Sequence, residues 1–115
     1  MTKVTIYKND KGYILRYKVL GHSGYDVKGK DIVCAAVSCL SQTALIALVE
    51  VLNIREEDID YFIDEDMGLL DVKIPQNMPS EKLEKINIVL RTFEVGIKSI
   101  IESYPGYVTL LYEEV

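Results

Sequence analysis

Alternation of apolar and polar residues predicts five short strands along the chain. The segments VTIY and YILRYKVL flank the turn-forming tetrapeptide NDKG, an arrangement typical of a β-hairpin. In the second segment, alternation predicts one apolar face made of Tyr13, Leu15, Tyr17 and Val19. A second pair of alternating segments, DIDYFID and LLDVKIP, flanks the turn DEDMG. In the first of these, Ile59, Tyr61 and Ile63 alternate with acids. The last predicted strand is YVTLLY.

Two longer segments carry the apolar spacing of helices. The first covers residues 32–52, and Asp31 stands directly before it as a predicted N-cap. The second begins at Ser80 and ends before Pro105, with a predicted buried stripe of Leu83, Ile86, Leu90, Phe93, Ile97, Ile100 and Tyr104. Residues 32–49 carry no formal charge and are long enough to span a membrane. The strand-like flanks favour a buried or interface helix instead.

The order of these elements is ββαββαβ, which predicts an α+β fold. Because hairpins dominate, we expect a mostly antiparallel or mixed sheet with the two helices packed on one face. With no linker or low-complexity tract in 115 residues, we expect residues 1–115 to form a single domain.

Charge and cysteine content narrow the classes of function. The formal net charge of −5 argues against direct nucleic-acid binding, which usually needs a basic face. Two cysteines are too few for a disulfide framework, so we expect free thiols in a reducing compartment. The N-terminal segment lacks the apolar run of a signal peptide. We therefore expect a cytoplasmic protein without a membrane partner.

Residues 21–38, GHSGYDVKGKDIVCAAVS, concentrate the candidate chemistry. Residues 24–30 match the phosphate-binding pattern GxxxxGK, but Asp31 follows where that pattern needs Ser or Thr, and its carboxylate would repel phosphate. His22, Asp31, Cys34 and Cys39 could supply metal ligands, but their spacing fits no common zinc pattern. We expect neither a metal nor a cofactor.

A cysteine nucleophile with a histidine base is the third interpretation. Cys34 is the third residue of the predicted helix, where free N–H groups and the helix dipole stabilise a thiolate and an oxyanion. His22 is the only histidine and can take the thiol proton and pass it to a leaving amine. The charge of Asp31 opposes thiolate formation. In the alternative, these residues have purely structural roles: Cys34 packs in the core, His22 lies on the surface and Asp31 only caps the helix.

Four further residues of the segment have open roles. Ser38 lies one helical turn after Cys34 on the same face, either contacting the thiolate or substrate or allowing close helix packing. Gly21, Gly24 and Gly29 are either hinges that let residues 23–30 close over a ligand or plain turn residues.

The segment GHSGYDVKGKDIVCAAVSCLSQ resembles the family of the ribosomal-processing cysteine protease called Prp. The family signature, of the form GHxGxxxxGxDIVCAAVS, matches this chain at Gly21, His22, Gly24, Gly29, Asp31, Ile32, Val33, Cys34, Ala35, Ala36, Val37 and Ser38. Chain length and element order agree with the family as well.

The resemblance implies a cytoplasmic, dimeric cysteine endopeptidase of bacteria, with His22 and Cys34 as its catalytic pair. Its expected substrate is a short N-terminal extension, rich in apolar and aromatic residues, on a large-subunit ribosomal protein, number twenty-seven. Removing the extension is a step of ribosome maturation. Separately from the resemblance, Asp31 and Ser38 are candidate supporting residues whose roles stay open. The alternative function is a non-catalytic, ribosome-associated or assembly-linked binding protein.

Overall fold

The structure is a computed structural model that describes residues 1–27 and 30–115. Its element order is the predicted ββαββαβ, with one added 3₁₀ turn. The elements are β1 Thr2–Lys8, β2 Ile14–Leu20, α1 Ile32–Glu50, the 3₁₀ turn Glu56–Asp58, β3 Asp60–Asp64, β4 Leu69–Lys73, α2 Ser80–Ser103 and β5 Val108–Glu114. The first helix thus ends two residues earlier than the sequence predicts.

The strands form one five-stranded sheet in the order β3-β4-β2-β1-β5. The pairs β1–β2, β2–β4 and β3–β4 are antiparallel, whereas β1 and β5 run parallel. A parallel neighbour needs a long crossover, and the 24-residue α2 lies in the connection that leads to β5. The predicted mixed sheet with two helices is confirmed.

The core lies between the two helices and one face of the sheet. Tyr17 of β2 is fully buried at its centre. Its ring stacks on Phe93 of α2 with centroids 4.6 Å apart, and its hydroxyl donates to the carbonyl of Ser41 in α1 at 2.8 Å. Burial raises the pKa of Tyr17 above its ordinary value, so the hydroxyl stays a donor. One side chain therefore joins the central strand to both helices.

A β-bulge changes which residues of β2 face the core. The pairing register shifts between Tyr7 and Lys8 of β1, and Lys8 then pairs with Ile14. Ile14 is buried as a result, while Leu15 and Tyr13 are only half-buried. The predicted apolar face is therefore wrong at the start of this strand, because the bulge interrupts the alternation.

Asn87 of α2 satisfies the backbone at the bulge. Its Oδ1 accepts the N–H of Ile14 at 2.7 Å, and its amide nitrogen donates to the carbonyl of Ile14 at 3.3 Å. Asn87 is buried, so this side-chain amide substitutes for a neighbouring strand where water is excluded.

Strand β3 lies at the edge of the sheet and is largely exposed. Tyr61 and Ile63 remain 37% and 50% exposed, and of the predicted apolar positions only Ile59, just before the strand, is buried. The alternation in this segment thus marks a strand, as predicted, but not a buried face. Its partner β4 behaves as predicted, with Leu70, Val72 and Ile74 all buried.

Helix α1 is long and apolar enough to cross a membrane by length and composition alone. In this fold, six of its residues are buried in the core: Val33, Val37, Ser41, Ala44, Leu45 and Leu48. The opposite side of the helix is exposed and carries no charged residue before Glu50. The helix is thus partly a core element, as the sequence predicts.

Candidate active site

A cavity of about 320 Å³ lies between the N-terminal half of α1 and the β3–β4 hairpin. Gly21, His22, Cys34 and Ser38 all line it, so much of the chemistry of residues 21–38 converges on one space. Its wall also includes buried apolar side chains: Val19, Val37 and Leu70. A cavity of mixed polar and apolar lining suits a ligand with apolar side chains.

Cys34 lies in the first turn of α1 with its side chain partly buried. As predicted, Asp31 is the N-cap, and its Oδ1 accepts the N–H of Cys34 at 2.9 Å. That N–H is therefore occupied by the cap. The N–H of Ser23 points at the Cys34 sulfur instead, at 3.1 Å. The sequence interpretation missed Ser23, because any residue except proline has a main-chain N–H and the residue type therefore does not reveal this donor.

The carboxylate of Asp31 also holds the loop that precedes α1. Its Oδ2 accepts the hydroxyl of Ser23 at 2.6 Å and the N–H groups of Tyr25 and Asp26 at 3.1 and 3.3 Å. Burial opposes ionisation of Asp31, but the bonds from Ser23, from the N–H of Cys34 and from Asp26 outweigh it and hold its pKa at about 2. Asp31 therefore stays charged while supporting both sides of the cysteine.

An aromatic contact gives the loop a second anchor. The ring of Tyr25 meets the rings of Tyr104 and Tyr107 edge-on, with centroids 5.5 and 5.2 Å away. Of the predicted hinge glycines, Gly21 and Gly24 have positive φ values of 95° and 75°, and Gly24 does not line the cavity. Gly29 lies outside the described residues.

His22 follows β2 and is exposed at the cavity wall. Its Nε2 lies 3.3 Å from the main-chain carbonyl oxygen of Asp66, in the turn between β3 and β4. Both His22 and Cys34 belong to the described part of the chain, and no hydrogen bond joins their side chains there. The two predicted reactive groups thus share one cavity without being in hydrogen-bond contact.

The β3–β4 turn packs directly against the backbone that carries His22. The N–H of Gly21 is shared between the carbonyls of Met67 and Gly68, at 3.2 Å from each. Gly68 has a φ of 62°, and a Cβ placed on it would lie 2.7 Å from the carbonyl oxygen of Gly21 and 3.2 Å from Cε1 of His22. Only glycine fits at this position. The segment DEDMG predicts a turn here, but not the contact with Gly21 and His22 that requires glycine.

The exposed face of α1 supplies the polar wall of the cavity. Ser38 lies one turn after Cys34, as predicted, and Gln42 follows one turn later. The sequence interpretation missed Gln42, although its spacing of eight residues from Cys34 would have placed it on the same face. Asp64 and Glu65 line the opposite side. A thiol, an imidazole and an amide around an apolar cleft are suited to acyl transfer from an extended peptide.

Other chemistry has less support in the structure. Cys39 is exposed on α1 and does not line the cavity. Within residues 1–27 and 30–115, no group of three or more His, Cys, Asp or Glu side chains is placed to hold a metal ion.

Comparison with known proteins gives a match across nearly the whole chain. A family model described as "Cysteine protease Prp" matches residues 1–109. The ribosomal processing cysteine protease Prp of Bacillus subtilis is 30% identical over 105 residues, which cover 90% of each chain.

Solved structures give the same fold. The essential ribosomal processing protease Prp of Staphylococcus aureus, crystallised with a covalently linked product peptide, has a TM-score of 0.85 and 26% identity, covering 98% of this chain and 100% of that one. A Streptococcus mutans protein has a TM-score of 0.82 and 28% identity, covering 100% of this chain and 96% of that one.

Replacing Asp31 with Asn is expected to lower the free energy of unfolding at pH 7 by about 1–3 kcal/mol, since an amide NH₂ would face the N–H donors of Tyr25 and Asp26. The folded-state pKa of Asp31 lies below its ordinary value of 3.8. Its contribution is therefore complete above about pH 5 and is lost as the pH falls through 3.8 towards 2.

Urea unfolding of wild type and Asp31→Asn between pH 7 and pH 3 measures this difference. The gap should be constant down to about pH 5 and narrow below about pH 4. Asp10→Asn, in the exposed β1–β2 turn, is the control and should shift stability by less than about 0.5 kcal/mol. A gap that persists unchanged at pH 3 would contradict the assignment.

Proposed function

This chain belongs to the cysteine protease Prp family, and we propose that it is a cysteine endopeptidase with Cys34 as nucleophile and His22 as general base. One observation carries the proposal: the only histidine and the family-motif cysteine line the same cavity, whereas Cys39 does not. We also propose that residues 1–115 act as a single Prp-like domain. The family match over residues 1–109 and the shared hydrophobic core support this.

In the proposed reaction, the sulfur of Cys34 attacks the scissile carbonyl while His22 takes the thiol proton. His22 then returns that proton to the leaving amine, and a thioester remains on Cys34. Water, deprotonated by His22, attacks the thioester and releases the new carboxylate together with the free thiol. The N–H of Ser23, aimed at the sulfur, stabilises negative charge there before attack. Because Asp31 occupies the N–H of Cys34, the oxyanion donors belong to other N–H groups of the first turn.

The proposed substrate is the N-terminal extension of a large-subunit ribosomal protein, number twenty-seven. The Bacillus subtilis relative is named a ribosomal processing protease, and the Staphylococcus aureus protein holds a covalently linked product peptide. Val19, Val37 and Leu70 give the cavity an apolar lining for the apolar and aromatic side chains of such an extension. The reaction as proposed is cytoplasmic, belongs to ribosome maturation and uses no cofactor, membrane or direct nucleic-acid contact.

The loop before α1 is proposed to open and close over the peptide. In this structure its described part is held by Asp31 and by the Tyr25 ring, so opening must break bonds to a carboxylate and an aromatic contact. Gly21, Gly24 and Gly29 are the proposed hinges. The positive φ values of Gly21 and Gly24 support them, since glycine tolerates the backbone changes that a hinge needs.

A homodimer is also proposed, through the exposed residues of α1 that do not line the cavity. These residues include Ile32 and Ile46, 51% and 55% exposed, on a helix without a charged residue before Glu50. A second copy related by two-fold symmetry would bury the same surface on both chains.

Cleavage of the extended ribosomal protein by wild type, Cys34→Ala and Cys39→Ala tests the reaction. Cys34→Ala should lower kcat/KM by at least about 10³-fold, since it removes the atom that forms the thioester. His22→Ala should lower it about 10²- to 10⁴-fold. Cys39→Ala is the matched control on the same helix and should cut at the wild-type rate. Equal cutting by Cys34→Ala and wild type would rule out Cys34 as nucleophile.

Labelling with a thiol reagent separates the peptidase from the alternative, a ribosome-associated or assembly-linked binding protein. In a peptidase, Cys34 should react faster than Cys39 in a pH-dependent way, and His22→Ala should remove the preference. Equal, slow labelling of both thiols together with an uncut substrate would favour the binding protein.

Hydrogen exchange on Cys34→Ala, with and without an uncleaved peptide, tests the loop. The amides of Tyr25 and Asp26 should exchange more slowly when peptide is bound, because a closed loop keeps their bonds to Asp31 intact. Amides around Gly12 in the β1–β2 turn are the internal control and should not change. Full protection of the loop in both states would contradict gating.

Sedimentation of Ile46→Glu tests the dimer. A buried unpaired charge on each side of the interface should convert the dimer to monomer. Ile88→Glu, at a position 69% exposed on α2, is the matched control and should leave the oligomeric state unchanged. A monomeric wild type at micromolar concentration would refute the dimer.

A further inference from the structure

The turn between β3 and β4 holds the imidazole that serves as base. We propose that the main-chain carbonyl of Asp66 accepts Nε2–H of His22 and so reserves Nδ1 as the nitrogen that takes the Cys34 proton. The inference rests on the proposed peptidase and adds the orientation and tautomer of its base. On this proposal Asp64 and Gly68, which shape and seat the turn, are positioning residues.

The first step of the argument is the chemistry of the acceptor. A neutral imidazole has one N–H donor and one bare nitrogen, and a main-chain carbonyl can only accept. With Nε2 of His22 3.3 Å from the carbonyl oxygen of Asp66, the proton of the neutral ring belongs on Nε2. The lone pair available for a proton is then that of Nδ1. In this proposal the carbonyl orients the imidazole, as a third polar group does in other sites that use a histidine base.

The second step is the rigidity of the contact. The shared N–H bond from Gly21 to Met67 and Gly68 fixes the turn to the backbone one residue before His22. At Gly68 a Cβ would lie 2.7 Å from the carbonyl oxygen of Gly21 and 3.2 Å from Cε1 of His22, so a larger residue there would push the turn away from the imidazole. The carbonyl of Asp66 is thus held at a set distance from the ring.

The third step is what shapes the turn itself. Oδ1 of Asp64 accepts the N–H groups of Asp66 and Met67 at 3.1 and 3.3 Å, an Asx-type turn. The bond from Met67 orients the peptide unit that carries the Asp66 carbonyl, and the bond from Asp66 orients the unit before it. Asp64 therefore acts on His22 through backbone geometry. An asparagine retains the same Oδ1 acceptor, so it separates this role from an effect of charge.

The tautomer is measured directly by ¹⁵N NMR, because the chain has a single histidine. At about pH 8.5, well above the ordinary imidazole pKa of roughly 6.5, wild type should show the Nε2–H tautomer. A dominant Nδ1–H tautomer would overturn the inference. This spectrum needs no cleavage, and Cys34→Ala should give the same result. An active enzyme with the Nδ1–H tautomer would refute the positioning alone, whereas an inactive wild type with Nε2–H would count against the peptidase.

Variants of the turn supply the second readout. Gly68→Ala should weaken the tautomer preference and slow both alkylation of Cys34 and peptide cleavage at least tenfold. Gly12→Ala is the matched control, because Gly12 also has a positive φ, 86°, but a Cβ there meets nothing within 4 Å. It should share any backbone strain without the loss of rate. Equal losses in the two variants would overturn the inference.

Substitutions at Asp64 provide a second test that does not require Gly68→Ala to fold. Asp64→Ala should lower kcat more than it raises KM and should shift the pH dependence of Cys34 alkylation. Asp64→Asn should restore most of the lost rate and the Nε2–H signal. An Asn variant as impaired as the Ala variant would show that charge, not turn geometry, is what matters, and would contradict the proposal.

Discussion

The carboxylate of Asp31 is the point at which the helix and the loop of the site are joined. One oxygen caps the first turn of α1 through the N–H of Cys34, and the other collects the hydroxyl of Ser23 and the N–H groups of Tyr25 and Asp26. A negative group at a helix N-terminus also interacts favourably with the helix dipole. The distance between the cysteine and the loop is therefore set by the two oxygens of one side chain.

The same arrangement determines how the charge of Asp31 acts on the sulfur of Cys34. The sequence alone suggests that Asp31 opposes thiolate formation. In the structure, its oxygens are turned to four hydrogen-bond donors, and the sulfur of Cys34 receives its own donor from Ser23. Asp31 therefore affects the sulfur chiefly through position. By accepting the hydroxyl of Ser23, it places the main-chain N–H of Ser23 against the sulfur of Cys34.

Local chemistry made much of the fold and part of the site predictable. The N-cap at Asp31, the start of α1 at Ile32 and the placement of Cys34 in its first turn depend on residues within three positions of each other. The buried face of β4 and the central stripe of α2 follow from simple periodicity. For the same reason, the placement of Ser38 one turn after Cys34 on the cavity wall could be predicted.

Features that depend on distant residues could not be predicted in this way. The contact of His22 with Asp66 spans 44 positions and uses a carbonyl, which every residue carries. The bulge that buries Ile14 is hydrogen-bonded by Asn87, 73 positions away. The exposure of β3 follows from its place at the sheet edge, which alternation within one segment does not encode.

Several contacts that build the cavity use main-chain N–H or carbonyl groups as one or both partners. The N–H of Ser23 meets the sulfur of Cys34, the carbonyl of Asp66 meets the ring of His22, and the N–H of Gly21 is shared by two carbonyls. Every residue carries a peptide group, so substitution at Asp66 or Met67 leaves these donors and acceptors available as long as the backbone keeps its path. The Staphylococcus aureus protein has the same fold, with a TM-score of 0.85, at 26% identity.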